Sequence, residues 1–231
     1  MIERYPYFVA ALLLLATIPV YLVAAGSQRR AAAWSGLLFA PLALGAPLLG
    51  TDYWSARRLG GLPLGLEDAI YFGQLGVASW FFASLPFRHR LHLDLRPGAL
   101  AVRALVLVSA LIAGLAVGVA AGVSVIEWAF VTWGALIAGV LAWRSALWRL
   151  ALSAALLHGA ALAITMAILL AMWPELGRLW SQSHPLGRRV LGLPFGEILW
   201  GTVAPAAIAL AFGFASRARL SSSRPRRRAR L

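Results

Sequence analysis

Two stretches of the chain, Arg57–Glu67 (RRLGGLPLGLE) and Arg188–Glu197 (RRVLGLPFGE), share a pattern that decides how we expect the protein to fold. Aligned at an offset of 131 residues, six of their first nine positions are identical. The matches include both arginines and the proline, which mean more than a leucine or glycine match in a leucine-rich sequence. A tryptophan precedes each stretch, at Trp54 and at Trp180. We therefore predict that the chain contains a duplicated unit.

The composition around these stretches is that of a membrane protein. Of the 231 residues, 61% are hydrophobic and 13% are charged. A soluble domain carries about 25% charged and about 45–50% apolar residues, so an ordinary soluble domain and a disordered chain are both excluded. The chain has no cysteine, which also excludes disulfides, thiolate metal sites and cysteine nucleophiles.

Apolar runs long enough to cross a bilayer recur along the chain. We predict an all-α integral membrane bundle of about seven transmembrane helices, since one span needs about 20 residues. The duplication groups them as two three-helix repeats joined by a linking helix. The predicted spans are 6–26, 32–50, 65–86, 99–122, 125–143, 149–172 and 195–215. The predicted regions are the first repeat (1–90), linking helix 4 (91–123), the second repeat (124–216) and a basic cytoplasmic tail (217–231).

The basic residues, all 21 of them arginine, indicate a membrane topology rather than nucleic-acid binding. With the N-terminus outside and the C-terminus in the cytoplasm, the inner segments hold 15 arginines and the outer segments hold 6. This bias is the one that the positive-inside rule requires. Seven arginines lie in the last 15 residues, where they can contact anionic lipid. We therefore expect a protein of the bacterial inner membrane, with membrane lipid as a partner and no nucleic acid.

The acids of the repeated stretches are predicted to meet on the outer side, because an odd number of linking helices keeps both units in the same orientation. In each stretch a proline and then an acid open a helix, which is a helix-start pattern. Glu67 and Asp68 thus begin the third span, and Glu197 begins the seventh. We predict that these three carboxyl groups share one pocket. The alternative is that each acid only caps its helix.

Aromatic side chains follow these acids by one helical turn and so share a helical face with them. Their π faces could stabilise a cation by about 0.5–2 kcal/mol per contact, although an interfacial aromatic belt would place them at the same depth. Glu127, at the start of the fifth span, either lines the same pocket or is only a helix-start acid. The predicted substrate-binding residues are Tyr71, Phe72, Trp200 and Glu127.

Two further features lie within spans. His158 is placed in the middle of the sixth span, and we interpret it as a hydrogen-bonded packing residue, with a proton shuttle as the alternative. Gly114, Gly118 and Gly122 are four residues apart on the linking helix and predict close packing, within the bundle or in a dimer. The sequence has neither a dinucleotide-binding nor a Walker motif, and its acids and histidines lack metal-ligand spacing. We therefore expect no nucleotide cofactor and no metal.

At these residues the chain resembles the integral-membrane lycopene cyclases of the carotenoid pathway, which occur as two small three-helix subunits or as one fused seven-helix chain. The pattern of apolar spans is similar over most of the chain, whereas the motifs cover only a short part of it. In the second copy Gly196 stands where the resemblance predicts an acid, and the first copy has two extra residues between its proline and its acids. The motifs are Asp52-Tyr53-Trp54, Leu62-Pro63, Glu67-Asp68 and Tyr71-Phe72 in the first copy, and Leu193-Pro194, Glu197 and Trp200 in the second.

The resemblance implies an acid-initiated ring closure of a lipophilic polyene, with no net redox change and no cofactor. Glu67, Asp68 and Glu197 would then be the catalytic residues. We expect Glu67 to be the main proton donor, because Asp68 lies beside it and an aromatic pair follows one turn later. Alternatives are a related membrane terpene cyclase acting on a prenylated small molecule, and a non-catalytic membrane partner with the same fold. The resemblance also admits a homo-oligomer or a hetero-oligomer with other carotenoid enzymes.

Overall fold

The protein is a bundle of α-helices, as seen in a computed structural model that describes residues 5–48, 53–54 and 58–221. The predicted all-α class is confirmed, since the described strands have only two residues each. Short 3-10 turns join several of the helices. The α-helices are α1 (Pro6–Ala24), α2 (Arg29–Phe39), α3 (Leu66–Ser84), α4 (Pro97–Ala120), α5 (Val125–Trp143), α6 (Trp148–Met172) and α7 (Phe195–Ala215).

Five helices of the described chain are long and apolar enough to cross a membrane, namely α1, α4, α5, α6 and α7. α2 has only 11 residues. α3 has 19 residues, but Glu67, Asp68 and Gln74 lower its mean hydropathy. Length and composition therefore support five of the seven predicted spans, and the protein has the helices of a membrane protein.

The predicted second span, 32–50, is not a single α-helix. α2 ends at Phe39, and the chain continues as a 3-10 helix over Ala40–Leu48. Pro41 and Pro47 lie in this part of the chain. Proline lacks the amide hydrogen that an α-helix uses and clashes with the preceding turn, so the α-helix stops before them.

α3 and α7 form the centre of the bundle. α3 packs against α1, α2 and α6, while α7 packs against α5, α6 and α3. Trp80 of α3 meets Phe212 of α7 edge to face, with the ring centroids 4.7 Å apart. The first and last thirds of the chain therefore meet through these two helices, and the residues at their starts are brought close together.

The two repeated stretches meet at one end of the bundle. Trp54 and Trp180 face each other in an antiparallel β-bridge, and the Ser181 amide donates to the Tyr53 carbonyl oxygen at 2.9 Å. The segments that precede the two stretches are thus paired directly, as expected if both emerge on one side. Asp52 and Arg57, which belong to the predicted motifs, lie outside the described residues.

The opposite end of the bundle is closed by a pair of short strands. β1 (Leu91–His92) pairs antiparallel with β4 (Arg219–Leu220). This pairing ties the loop between α3 and α4 to the segment that follows α7. Of the predicted basic tail, residues 222–231 lie outside the described part of the chain.

The glycines of α4 pack inside the bundle. The ring of Trp128, on α5, covers Gly118, and its Nε1 donates to the Gly114 carbonyl oxygen at 2.6 Å. A Cβ on Gly118 would overlap the indole ring. Gly122 lies beyond the helix end with a φ of +70°. The spacing thus serves the contact between α4 and α5.

Candidate functional site

An elongated cavity of about 310 Å³ lies between α1, α3, α6 and α7. On α3 its lining runs from Asp68 to Phe82, which is about 21 Å along a helix that rises about 1.5 Å per residue. Most of the lining is apolar. Hydroxyl, carboxyl, guanidinium and indole groups gather at the end near the starts of α3 and α7, supplied by Tyr7, Tyr53, Arg58, Asp68, Trp180 and Glu197. The cavity therefore has one polar end and a long, mostly apolar body, in which Thr17, Gln74 and His158 are polar.

Asp68 lies at the polar end with both carboxylate oxygens engaged. Arg58 donates from Nε to Oδ2 at 2.7 Å and from Nη2 to Oδ1 at 3.2 Å. The Gly65 amide donates to Oδ2 at 2.8 Å, and the Tyr7 hydroxyl donates to Oδ1 at 3.0 Å. Every contact is a donor, which is the environment of an ionised carboxylate. Asp68 thus ties α1 and the loop before α3 to the start of α3.

The cation of this ion pair is held in its charged form. Burial lowers the pKa of the Arg58 guanidinium, but its hydrogen bonds with Asp68 and the acidic groups around it together raise the pKa by more, so the net shift is upward. The Arg58 side chain is 16% exposed and the Asp68 side chain 1% exposed. The pair is therefore a mostly buried, two-point contact.

Glu197 lies at the same polar end, in the first turn of α7. Its Oε1 accepts hydrogen bonds from Trp180 Nε1 at 2.9 Å and from the Tyr53 hydroxyl at 3.2 Å. Burial and the nearby Glu197 carboxyl raise the pKa of the Tyr53 phenol well above its usual range, so the hydroxyl keeps its proton and donates. Among the described residues, none donates to Oε2 and no cation lies within ion-pair distance. Glu197 therefore has one fixed oxygen and one unengaged oxygen.

Glu67 is directed away from the cavity although it is next to Asp68 in the sequence. One residue advances a helix by about 100°, since a turn takes about 3.6 residues. The Glu67 side chain folds back over Gly65, and its Oε1 accepts from the Leu59 amide at 2.7 Å. It is buried there and is not among the described residues that line the cavity. The structure thus brings Asp68 and Glu197 to one cavity, while Glu67 ties the loop before α3 to the start of that helix. The acid that caps α3 is Asp68, which accepts from the Gly65 amide.

The three predicted aromatic residues all line the cavity. Trp200 Nε1 donates to the Tyr71 hydroxyl at 2.6 Å, which joins α7 to α3. Tyr71 also meets Phe72 edge to face, at 5.4 Å between centroids. The ring of Trp200 is held from behind by Phe130 and Trp133 of α5, at 6.3 and 6.1 Å. Fixed π faces therefore lie about one turn below the polar end.

Glu127, predicted as a further wall of the pocket, is not among the described residues that line the cavity. Its side chain is 51% exposed and lies 3.9 Å from His184 Nε2. The preceding residue, Ile126, lines the cavity instead. The position of Glu127 in the first turn of α5 fits a helix-start acid.

His158 lines the cavity from α6, deeper than the polar end. Its Nδ1 lies 3.0 Å from the Gly201 carbonyl oxygen. That carbonyl lacks its usual helical donor, because Pro205, four residues later, has no amide hydrogen. A carbonyl oxygen only accepts, so Nδ1 carries the proton and Nε2 is left as an acceptor. His158 is therefore hydrogen-bonded within the bundle, as predicted, and it also lines the cavity.

Gly196 stands where the resemblance predicts an acid, and the structure leaves no room for a side chain there. A Cβ on Gly196 would clash with the Tyr53 hydroxyl. It would also lie 2.6 Å from Tyr53 Cζ, the ring carbon bonded to that hydroxyl. The phenol thus fills the space of the expected acid and donates to Glu197, the next residue.

Four residues of the polar end were not assigned a role from the sequence. Arg58 belongs to the repeated stretch, and Trp180 precedes the second copy, so the repeat itself was a signal for both. Tyr53 lies in a motif of the resemblance. Tyr7 gave no signal, because its role depends on how α1 packs against α3.

No protein-family model, no curated protein and no solved structure matches this chain. The chemistry must therefore be argued from the site. It offers a long apolar cavity, a carboxyl group with an unengaged oxygen at one end, fixed aromatic faces next to it and an imidazole acceptor below.

Proposed function

We propose that the protein is a membrane cyclase of the lycopene cyclase type, which closes a ring at the end of a long polyene. The observation that carries the proposal is the unengaged Oε2 of Glu197 at the end of an elongated apolar cavity. A cyclisation that starts by protonation of an alkene needs an acid that faces an apolar substrate. The mostly apolar lining of the cavity also fits one end of such a substrate.

Glu197 is the proposed proton donor. Its hydrogen-bond donors are neutral and, among the described residues, no cation lies within ion-pair distance of it; a buried carboxyl group without a paired cation favours its neutral form. The hydrogen bonds from Trp180 and Tyr53 fix Oε1, so the acidic proton resides on Oε2 and faces the cavity. The proposal thereby moves from Glu67, favoured by sequence, to Glu197, because Glu67 is engaged with the Leu59 amide.

His158 is the proposed proton acceptor. Its Nδ1–H is held by the Gly201 carbonyl, which leaves the lone pair of Nε2 for the substrate. Gly201 lies four residues after Glu197 on α7, about 6 Å further along the helix. The acid and the acceptor thus lie at successive depths of one cavity, which Tyr71 and Trp200 also line.

The reaction balances without a redox partner. Glu197 gives its proton to the terminal carbon–carbon double bond, and the carbocation formed is attacked by a second double bond, so that one carbon–carbon bond closes the ring. The ring cation then loses a neighbouring proton to His158 Nε2, which leaves a double bond in the ring. Return of that proton to Glu197 completes the cycle, and substrate and product are isomers. The π faces of Tyr71 and Trp200 stabilise the cation by about 0.5–2 kcal/mol per contact.

The proposal includes seven spans in two repeats. What supports it is that α3 packs against α1 and α2, that α7 packs against α5 and α6, and that α3 and α7 pack against each other. The Trp54–Trp180 bridge joins equivalent positions before the two stretches. α2 with its 3-10 extension and α3 would then cross the membrane shielded by the five more apolar helices.

The test is expression in a lycopene-accumulating bacterium with pigment analysis. Glu197→Gln should abolish ring formation, because the amide keeps the contacts of Oε1 but has no transferable proton. The matched control is Glu67→Gln, in which product should persist, because the amide oxygen of glutamine can still accept from the Leu59 amide. Full activity of Glu197→Gln would contradict the proposal, and loss of activity only in Glu67→Gln would return the role to Glu67.

The acceptor is tested by one amide substitution. His158→Asn can still donate to the Gly201 carbonyl but lacks an acceptor at the position of Nε2. A lost acceptor should change where the cation loses its proton, so the variant should yield ring double-bond isomers or a hydroxylated product from capture by water. A merely structural role would lower the yield and leave the products the same.

A second candidate is a related terpene cyclase that acts on a prenylated small molecule. The observation that favours it is the polar end itself, where the Tyr7 and Tyr53 hydroxyls and Arg58 face the cavity. A hydrocarbon uses none of these groups, whereas a phenolic or quinone head group could bind them. Turnover of a prenylated phenol with no turnover of lycopene would decide for this candidate, and turnover of neither would favour a non-catalytic partner.

A further inference from the structure

The two helices that form the sides of the cavity, α1 and α6, each line it along one face. Both pack against α3. On α1 the lining includes Ala10, Leu13 and Leu14, and on α6 it includes Ala161, Leu162 and Thr165. These residues are small or apolar, so the sides of the cavity have the character of the hydrocarbon layer.

The outer margins of this lining are exposed. Leu13 lines the cavity and is 49% exposed, and Thr165 on the facing helix also lines it and is exposed. Leu13 lies seven residues after the start of α1, and Thr165 lies seven residues before the end of α6. Both ends lie at the polar end of the cavity, so the two residues are at the same depth, about 10 Å along the helices. That depth is inside the hydrocarbon layer, whose thickness is about 30 Å.

We propose that the gap between Leu13 of α1 and Thr165 of α6 is a lateral opening through which one end of a long apolar chain enters the cavity from the bilayer. The class of ligand, a linear polyene, rests on the proposed function. The opening itself rests on the lining and exposure of the two helices. A lipid-soluble substrate then never crosses the head-group layer or water.

The length of the cavity limits how much of the substrate enters. The lining of α3 spans about 21 Å, whereas a polyene of carotenoid length spans the hydrocarbon layer, about 30 Å. The remainder of the chain therefore stays in the lipid while one end is at Glu197. A product with two rings requires two separate binding events, with a one-ring intermediate released between them.

The opening is tested by filling it. Leu13→Trp with Thr165→Trp places two indole rings in the gap. The control pair is Leu15→Trp with Ile168→Trp, which adds the same rings at exposed positions that do not line the cavity. In lipid nanodiscs, binding of lycopene is measured by quenching of tryptophan fluorescence. We expect the first pair to weaken binding by about tenfold or more, which is about 1.4 kcal/mol, and the control pair to bind as wild type does.

A second test closes the opening with a reducible crosslink, so that the result does not depend on the folding of the tryptophan variant. Because the chain has no cysteine, Leu13→Cys with Thr165→Cys can be joined by a thiol reagent that contains a reducible disulfide. Binding should be lost when the bridge is made and recovered after reduction. Unchanged binding in the bridged protein, or equal losses in the two tryptophan pairs, would overturn the proposal.

Binding and turnover are read separately. Lycopene that binds to wild type and is excluded by the bridge, but is never cyclised, supports the opening and contradicts the proposed function. If turnover occurs, labelled one-ring product should exchange with an unlabelled pool before the second ring closes. A two-ring product that forms without exchange would contradict the partial insertion.

Discussion

Asp68 and Glu197 are two carboxyl groups at one end of one cavity, and their neighbours give them different roles. Asp68 accepts four hydrogen bonds, two of them from the Arg58 guanidinium. Glu197 accepts two, both from neutral donors and both at the same oxygen. The first group is an anchor between elements, and the second is the proposed proton donor. Divergent environments of paired acids are how one site supplies different chemistries.

Asp68→Asn should destabilise the fold. It leaves the mostly buried Arg58 cation without its partner, which costs about 3 kcal/mol, the lower end of the range for a broken buried pair. Unfolding in detergent micelles, followed by circular dichroism, measures the change. The control is Glu175→Gln, because both side chains of the Glu175–Arg178 pair are exposed and its loss should leave stability unchanged. Equal effects of the two substitutions would contradict the anchoring role of Asp68.

Gly196→Ala should disturb the site through Tyr53. The added methyl overlaps the phenol, and overpacking of this kind costs about 1–3 kcal/mol. With Tyr53 displaced, Glu197 loses one of its two donors, so ring formation should fall along with stability. Gly98→Ala, at a position where a Cβ meets nothing within 4 Å, should leave both unchanged. Normal activity in Gly196→Ala would show that Tyr53 does not position Glu197.

Sequence reasoning reached much of this site because its residues recur at helix starts. The repeat and the one-turn spacing pointed to Asp68, Glu197 and the aromatic residues. They could not separate Glu67 from Asp68, because adjacent helix positions differ only in direction. That direction is set by the packing of α3 against α1, which a sequence pattern does not contain. For the same reason the Tyr7 hydroxyl at Asp68 had no signal.

At the level of elements, small residues set how closely the helices approach. Gly76 of α3 faces the backbone of α2, and a Cβ there would lie 2.7 Å from the Ser35 carbonyl oxygen. Gly36 of α2 faces α3 in the same way, with the Gly73 carbonyl oxygen 2.9 Å from its would-be Cβ. This contact lets a short helix with a 3-10 extension pack fully against a central helix.

Gly76→Ala should therefore push α2 and α3 apart. The new methyl meets backbone, which cannot rotate away, so we expect a loss of about 1–3 kcal/mol. Gly139→Ala on α5 is the matched control, because nothing lies within 4 Å of its Cβ position and alanine favours a helix by about 0.5–1 kcal/mol. Thermal unfolding of both variants in one detergent gives the comparison. The same sign of change in both would contradict the close contact.

The spans differed in how well the sequence predicted them. α5 and α7 begin and end where predicted, at 125–143 and 195–215. The second span failed as a single helix because Pro41 and Pro47 override its apolar character. Apolar length thus predicts a helix well where backbone hydrogen bonding is uninterrupted.

For the molecule as a whole, the arginine bias predicts its orientation. The absence of cysteine allows single thiols to be placed at will. Arg178→Cys, at an exposed site near the polar end of the cavity, should react with a membrane-impermeant thiol reagent added to intact cells. His92→Cys, at the end closed by β1 and β4, should react only after lysis. The reverse pattern would place the arginine-rich tail outside and refute the topology.

The hydrogen bond between His158 of α6 and Gly201 of α7 depends on a third residue, Pro205, which has no amide hydrogen. His158 has an acceptor only because Pro205 cannot donate to the Gly201 carbonyl. A residue other than proline at 205 would reclaim that carbonyl for the helix and free the imidazole to turn or change tautomer. The histidine and the proline should therefore be inherited as a pair. In sequences that descend from the same ancestor, a change at position 205 should be accompanied by a change at position 158.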